Sequence, residues 1–322
     1  MNYHLLGQTG LKVSSLCFGT MTFGDAADES MSEKLYAMCR DAGINFFDCA
    51  NVYAKGKSEH ILGRLIKAHR EEVIIATKAY YPMSKDVNGR GSSRVHLYHA
   101  LEGSLKRLDT DYIDIYYLHN FDETVSLYES LATLNDFVRQ GKIRYIGLSN
   151  FAAWQVMKAI SVTEKHLWSS IACIQPMYNL LKRQAESEIF PMAMDQRLGV
   201  FPYSPMGGGY LSGKYLKNKD AKGRFDSSHM YQKRYSRQGN EEIAAEFVAL
   251  AEESGFHPAS LAVAWAGSHS AVTAPIIGAR NVAQLETGLK AVEVDMTDEL
   301  RARISALSPT PVQANDRTEE QM

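Results

Sequence analysis

A (β/α)8 TIM barrel, with an N-terminal β-hairpin and long loops after its third and seventh strands, is the fold class the sequence predicts. Three observations carry it. Eight short apolar runs rich in Ile, Val, Phe and Tyr recur along the chain, as strands buried on both faces require. The longer segments between them keep helical spacing, and parallel strands need such crossovers. At 322 residues the length alone suggests about two domains, but α/β barrels use this length as one. We therefore read 1–322 as a single domain, with a doubly wound open sheet as the alternative.

Taken in order, the chain opens with a hairpin-like turn around Gly7–Gly10. The predicted strands follow as SSLCFG (14–19), INFFDC (44–49), EVIIATK (72–78), YIDIYYLH (112–119), IRYIGLS (143–149), IACIQP (171–176), GVFPYS (199–204) and TAPIIG (273–278). Leu35, Met38, Cys39 and Ala42 form one helical stripe, with Gly43 as its left-handed stop. Leu97, Leu101, Leu105 and Leu108 form a second before the turn DTD, and Leu127, Leu131, Leu134 and Val138 a third before Gly141. Residues 79–93 and 205–239 break the repeat with polar, glycine-containing stretches, as functional loops do. The polar tail 309–322 is expected to be mobile or to fold across the barrel mouth.

Composition narrows the partners. A net charge of 35 − 37 = −2, with mixed signs, argues against a nucleic-acid polyanion or an anionic membrane surface as partner. No run of 18 apolar residues offers a transmembrane helix, and MNYHLLGQTGLKV lacks the basic start and apolar core of a secretory signal. Cys17, Cys39, Cys49 and Cys173 are scattered, without CxxC, so we expect buried thiols, no disulfide framework, no metal site and a reducing cytoplasmic home. Oligomeric state is not readable from these features.

The residues at the C-terminal strand ends are the functional signal. Asp48, Lys78, His119, Ser149 with Asn150, Gln175, Tyr203 with Ser204, and Gly278 each end or follow a predicted strand. One polar strand end is usually a cap or turn residue, but in a barrel these ends converge on the face that holds catalytic groups. Asp48, Tyr53, Lys78 and His119 make a proton-transfer set. Tyrosine is a poor acid at its ordinary pKa of about 10. A nearby ammonium favours the phenolate, so Lys78 is expected to lower that value, with Asp48 holding Lys78 and offsetting its burial. His119 would orient a carbonyl, so the set suits protonation of a carbonyl oxygen while hydride reaches its carbon.

The motifs LGQTGLKVSSLCFGTMTFG, GINFFDCANVY, ATK, DYIDIYYLHNFD, GKIRYIGLSNF, IQPMYN, YSPMGGGYLSGKY and PIIGARNVAQL run in order over nearly the whole chain. In this the sequence resembles the aldo-keto reductase superfamily, especially its branch of potassium-channel β subunits and bacterial sugar and aldehyde reductases. The resemblance implies a barrel binding NADP(H), with NAD(H) possible, without a Rossmann fingerprint, and none is present. It implies Tyr53 as general acid/base, tuned by Lys78 and Asp48, with His119 orienting the carbonyl of a small aldehyde, ketone or sugar. Ser149, Asn150 and Gln175 would hold the nicotinamide carboxamide and Tyr203 would stack on its ring. Gly19, Thr20 and Met21 would approach the ribose side. Ser204, Pro205, Met206, Gly207, Leu211 and Lys214 would line the pyrophosphate, and Gly278, Arg280 and Gln284 the adenosine end. Lys214 and Arg280 suit phosphates, Arg280 with a fork for a 2′-phosphate.

Departures from that pattern are Cys49, where Thr is usual after the Asp, and Thr287 with Gly288, where many relatives carry a Glu–Asn pair. The latter opens the choice between NADP and NAD. GGYLSGKY (208–215) fails as a P-loop because Tyr215 stands where Mg²⁺ needs Ser or Thr. His96 and His99 share a helix face but have no third ligand nearby in sequence. Tyr80, Tyr81, Phe121 and Tyr210 are candidate aromatic walls for the substrate. A cofactor-sensing or scaffolding subunit with slow turnover is the rival reading from another class, and a metal-dependent barrel hydrolase is a weaker one.

Overall fold

In the computed structural model, residues 1–217 and 229–315 are described. A two-stranded hairpin comes first: β1 (Tyr3–Leu5) pairs antiparallel with β2 (Lys12–Ser14). Eight parallel strands follow, β3 (Cys17–Gly19), β4 (Phe46–Asp48), β5 (Ile74–Ala79), β6 (Ile113–Leu118), β7 (Ile143–Ser149), β8 (Ile171–Gln175), β9 (Gly199–Val200) and β10 (Ile276–Ile277). Each of the eight predicted runs overlaps one of them, and only β5 extends past its run, by one residue, to Ala79. They are ordered β10-β3-β4-β5-β6-β7-β8-β9. Sequential neighbours without a reversal exclude the doubly wound alternative. The ends meet through Thr273 N–H to the Val200 carbonyl (2.9 Å) and Ile276 N–H to the Pro202 carbonyl (2.9 Å), which curls the sheet into a barrel.

The last two strands are shorter than their apolar runs because prolines interrupt them. Pro202 follows β9 and Pro275 precedes β10, and neither has an N–H to give a ladder. The main helices are α1 (Glu29–Asp41), α2 (Lys57–Ile66), α3 (Arg94–Leu108), α4 (Leu127–Arg139) and α5 (Ala153–Lys165), followed by others including Asn240–Glu253, Pro258–Gly267 and Val282–Leu289. Asp28 caps α1 through the Met31 N–H, and Ser93 caps α3 through the His96 N–H. Gly43 and Gly141 adopt φ of +83° and +73° just past α1 and α4, the expected left-handed stops.

Two cores follow from the two-residue period of the strands. Cys17, Phe46, Ile74, Ile115, Tyr117, Cys173 and Phe201 pack together inside the barrel, while Phe18, Phe47, Ile75, Tyr116 and Ile174 pack outward against the helices. Leu6 and Val13 of the hairpin join the inner cluster, so β1–β2 contribute to the barrel interior. Gly147 is required inside: a Cβ there would lie 2.3 Å from the Tyr117 ring. The same parity, continued two residues on, aims Asp48, Lys78, His119 and Gln175 inward at the strand ends. Glu59 of α2 is fully buried on the outer side, bonded by Thr77 (2.6 Å) and paired with Arg107 of α3 (2.6 Å).

Candidate functional site

Asp48 ends β4 and Lys78 lies near the end of β5, and both are buried. Lys78 Nζ donates to Asp48 Oδ2 and to the Cys49 carbonyl, each at 2.6 Å, and lies 3.5 Å from the Tyr53 hydroxyl. Gln175 Nε2 donates to the other Asp48 oxygen at 2.9 Å, so both carboxylate oxygens are occupied. A turn closed by the Tyr53 N–H to the Ala50 carbonyl (3.1 Å) leads into the 3-10 segment Tyr53–Gly56. That turn carries the phenol back over the Lys78–Asp48 pair. The His119 ring faces the Tyr53 ring edge-on at 6.2 Å, and the Tyr81 ring meets His119 at 4.9 Å.

The charges settle as follows. Burial works against the Lys78 ammonium, but Asp48 foremost, joined by Tyr53 and Cys49, holds the group above its ordinary value. Burial pushes Tyr53 up to about 12, against a downward pull from Lys78 and an upward push from Asp48. The expected lowering by Lys78 is thus present but is overcome by desolvation, and the phenol keeps its proton at neutral pH. Burial, then the Lys78 charge, drives His119 well below its usual value, leaving a neutral imidazole whose Nδ1 has no partner among the described residues.

Around this group lies a cavity of about 830 Å³, within the range of small-molecule sites. Of the residues anticipated from sequence, Gly19, Met21, Asp48, Tyr53, His119, Ser149, Asn150, Gln175, Tyr203, Ser204, Pro205, Met206, Lys214, Gly278, Arg280 and Gln284 line it. Asn150 sits at φ +59°, a conformation Asn tolerates. Its amide donates to the His119 carbonyl (2.8 Å) and Ser149 Oγ (3.1 Å) and accepts from the Tyr203 hydroxyl (2.7 Å), tying three strand ends together. Thr20, Gly207 and Leu211 stand behind the wall: Thr20 bonds the Asp48 carbonyl, Gly207 packs near Leu181, and Leu211 is fully buried. Lys78 likewise acts from beneath the surface.

Cys49 explains itself here. Its thiol lies 3.2 Å from Ser58 Oγ, which in turn donates to Thr20, so sulfur occupies a position in a hydroxyl network. Tyr81 is the one of the four candidate aromatics that lines the cavity. Phe121 packs against Phe151 and Trp154, and Tyr210 against Tyr215 and Tyr235. Sequence reasoning did not single out Thr22, Arg234, His257 and Asn281 of the wall. Asn281 was findable, because an Asn before VAQL reads as an N-cap, and its side chain does accept from the Gln284 N–H (3.0 Å). His96 and His99 line a separate cavity of about 390 Å³ beside Asn51. No group of three or more metal-ligating side chains occurs among the described residues, and no helix among them is long and apolar enough to cross a membrane. The tail reaches Ser187, whose hydroxyl donates to the Val312 carbonyl, and lines neither cavity as far as residue 315. Residues 316–322 lie outside the described residues.

Residues 15–309 match the family model described as Aldo/keto reductase family. The chain belongs to the aldo/keto reductase family. It is 39% identical over 322 residues to "Uncharacterized oxidoreductase YrpG" of Bacillus subtilis (strain 168), covering 97% of each chain. It is 36% identical to "Probable voltage-gated potassium channel subunit beta" of Oryza sativa subsp. japonica, with 95% of this chain and 96% of that one covered. It is 32% identical to "Putative aryl-alcohol dehydrogenase C977.14c" of Schizosaccharomyces pombe (strain 972 / ATCC 24843), covering 97% of each. Membership makes this aldo/keto reductase a carbonyl–alcohol oxidoreductase, in a family that uses nicotinamide cofactors.

The wall fits such a cofactor in its donor set. Amide and hydroxyl groups of Ser149, Asn150 and Gln175 supply donors and acceptors near Tyr53. Lys214 and Arg280 are cationic, and Asp48, already paired, is the only carboxylate of the wall among the described residues. No carboxylate pairs with Arg280 among them either. Gln284 Oε1 accepts from the Arg280 N–H at 3.0 Å, which fastens that segment to its helix.

Proposed function

We propose that this chain interconverts an aldehyde, ketone or sugar carbonyl with its alcohol, with NADP(H) preferred and NAD(H) possible, and with Tyr53 as general acid/base. The observation that supports it is the convergence of a protonated phenol and a neutral imidazole on one cavity wall, with a buried ammonium behind it 3.5 Å from the phenol.

The nicotinamide supplies a hydride to the carbonyl carbon when bound. In that direction Tyr53 donates its proton to the carbonyl oxygen. The phenolate left behind is stabilised by Lys78, which Asp48 holds in place and which cannot be hydrated in its buried setting. His119, kept neutral, would donate a hydrogen bond to the carbonyl oxygen without adding charge, and so orient the carbonyl. Ser149, Asn150 and Gln175 would hold the carboxamide, with Tyr203 against the ring. Gly19, Thr20 and Met21 would shape the ribose side. Ser204, Pro205, Met206, Gly207, Leu211 and Lys214 would form the pyrophosphate side. Gly278, Arg280 and Gln284 would form the adenosine end, with Arg280 on the 2′-phosphate. The polar wall residues behind the surface act through the backbone or through packing. Four buried free thiols fit a cytoplasmic location.

Oxidation of NADPH with a panel of aldehydes, ketones and sugars tests this reading. Tyr53→Phe should lower kcat by about 10²–10⁴-fold while NADPH binding is retained. Wild-type turnover in that variant would remove Tyr53 from the mechanism. The likeness to a chain named as a channel β subunit supports a second reading, a cofactor-sensing or scaffolding subunit with slow turnover. Tight NADPH binding with no carbonyl reduced would favour it.

A further inference from the structure

Arg234 is a cation of the main cavity that neither the proton-transfer group nor the cofactor assignments use. It lies on the helix His229–Tyr235, half-buried, with its guanidinium 5.2 Å from the Tyr231 ring centre and its Nη2 3.6 Å from Met230 sulfur. Both neighbours line the same cavity. Among the described residues no carboxylate pairs with Arg234, and the wall's one acid, Asp48, is committed to Lys78. A guanidinium held by an aromatic face and a thioether, without a counter-charge, retains its full fork of donors for an incoming anion.

Its place in the cavity says which anion. Burial raises both Tyr81 and Tyr203, the latter to about 12, and the Arg234 charge pulls each of them back. Tyr81 touches the His119 ring at 4.9 Å, and Tyr203 bonds the Asn150 side chain that is fastened to the His119 carbonyl. Arg234 therefore lines the same cavity as Tyr81 and Tyr203, the side chains that lead to His119, where the carbonyl would react. The side chains that touch it, Met230 and Tyr231, are apolar or aromatic, and the same cavity is lined by Tyr81, Met21 and Val52.

We propose that Arg234 forms an anion subsite of the substrate pocket, so that the compounds taken best are carbonyls with an apolar body and a carboxylate at its far end. This rests on the carbonyl-reductase reading above. The carboxylate meets the guanidinium in a charge-assisted, forked contact, while the body packs against Tyr81 and Tyr231 and the carbonyl points at Tyr53 and His119.

The test compares kcat/KM for 3- and 4-carboxybenzaldehyde with their neutral methyl esters, using NADPH and the full-length protein. The ratio of acid to ester should exceed one in the wild type for at least one isomer. It should fall about 10- to 100-fold in Arg234→Gln and recover in part in Arg234→Lys, without a matching loss of NADPH affinity measured by fluorescence titration. A wild-type ratio at or below one for both isomers, or a ratio unmoved by Arg234→Gln, overturns the subsite and leaves carbonyl reduction standing. Loss of NADPH affinity with an unchanged ratio assigns the cation to the cofactor and also overturns it. If the wild type reduces neither acids nor esters nor any carbonyl of the wider panel, the carbonyl reading fails and the subsite falls with it.

Discussion

Replacing Asp48 with Asn separates the charge of the buried pair from its shape. Asp48 accepts from Lys78 on one oxygen and from Gln175 on the other, at 2.6 and 2.9 Å. Asn keeps a single oxygen, so one of these donors must face an N–H₂ group. Lys78, with no exposed side-chain surface, keeps the Cys49 carbonyl but loses its counter-charge. Breaking a buried pair in this way costs about 3–5 kcal/mol. The pH dependence supplies a second signature. In the wild type, burial opposes the Lys78 charge but Asp48, helped by Tyr53 and Cys49, overcomes it, so the folded pKa stands above the unfolded value. That contribution is complete below about pH 10.4 and is lost only as pH rises through the raised folded value. In Asp48→Asn the largest upward influence on Lys78 is removed, burial becomes the leading influence, and the folded pKa should drop below the unfolded one. The unfolded state then binds more protons, and stability rises with pH across the interval between the two values. The deficit of the variant should therefore shrink between pH 7 and pH 10. Urea-denaturation midpoints of both proteins, followed by intrinsic fluorescence at the two pH values, measure it. A loss under about 1 kcal/mol at pH 7, well short of a broken buried pair, or a deficit that grows with pH, would refute the reasoning.

Three further outcomes follow from the site. With burial holding Tyr53 at about 12, the acid form persists through pH 10, so kcat/KM for carbonyl reduction should show no descending limb between pH 6 and 10; a limb centred below pH 9 would mean the Lys78 charge outweighs desolvation. Arg280→Ala should raise the Kd for NADPH about tenfold or more and that for NADH far less, and equal losses by titration would remove Arg280 from the 2′-phosphate. Cys49→Thr should leave stability within about 1 kcal/mol, because a hydroxyl can replace the thiol beside Ser58; a loss of several kcal/mol in the urea midpoint would show that the pocket is shaped for sulfur.

The strands were legible because buried parallel strands are written as apolar runs, and eight of them separated by helical stripes leave few topologies. GVFPYS and TAPIIG read too long because apolar character persists past the point where Pro202 and Pro275 interrupt the ladder. The inward set was legible for a related reason. Once Phe46 is inside, so is Asp48, and the same step of two leads from Ala76 to Lys78, from Tyr117 to His119 and from Cys173 to Gln175. Thr22, Arg234 and His257 had no such warrant. Thr22 and His257 lie on connections between elements and Arg234 on a seven-residue helix within the loop region after β9, where no strand period relates neighbouring side chains and only the folded path brings them to one wall.

The sign of the Tyr53 shift marks the deeper boundary. Residue types show that an ammonium stands near a phenol, and Coulomb's law then lowers the phenol. Burial depends on everything else: the turn at Tyr53–Gly56, the fully buried Ala50 beneath it, and the Tyr81 and His119 rings beside it. Those surroundings remove water from the phenolate more effectively than Lys78 compensates, partly because Asp48 has already claimed much of the ammonium's field. The same pair that makes Lys78 tolerable in the barrel thus limits how far it can acidify Tyr53. In the proposed reaction such a site would hold its proton at rest and release it only when negative charge develops on an oxygen placed against it, which is what donation to a carbonyl demands.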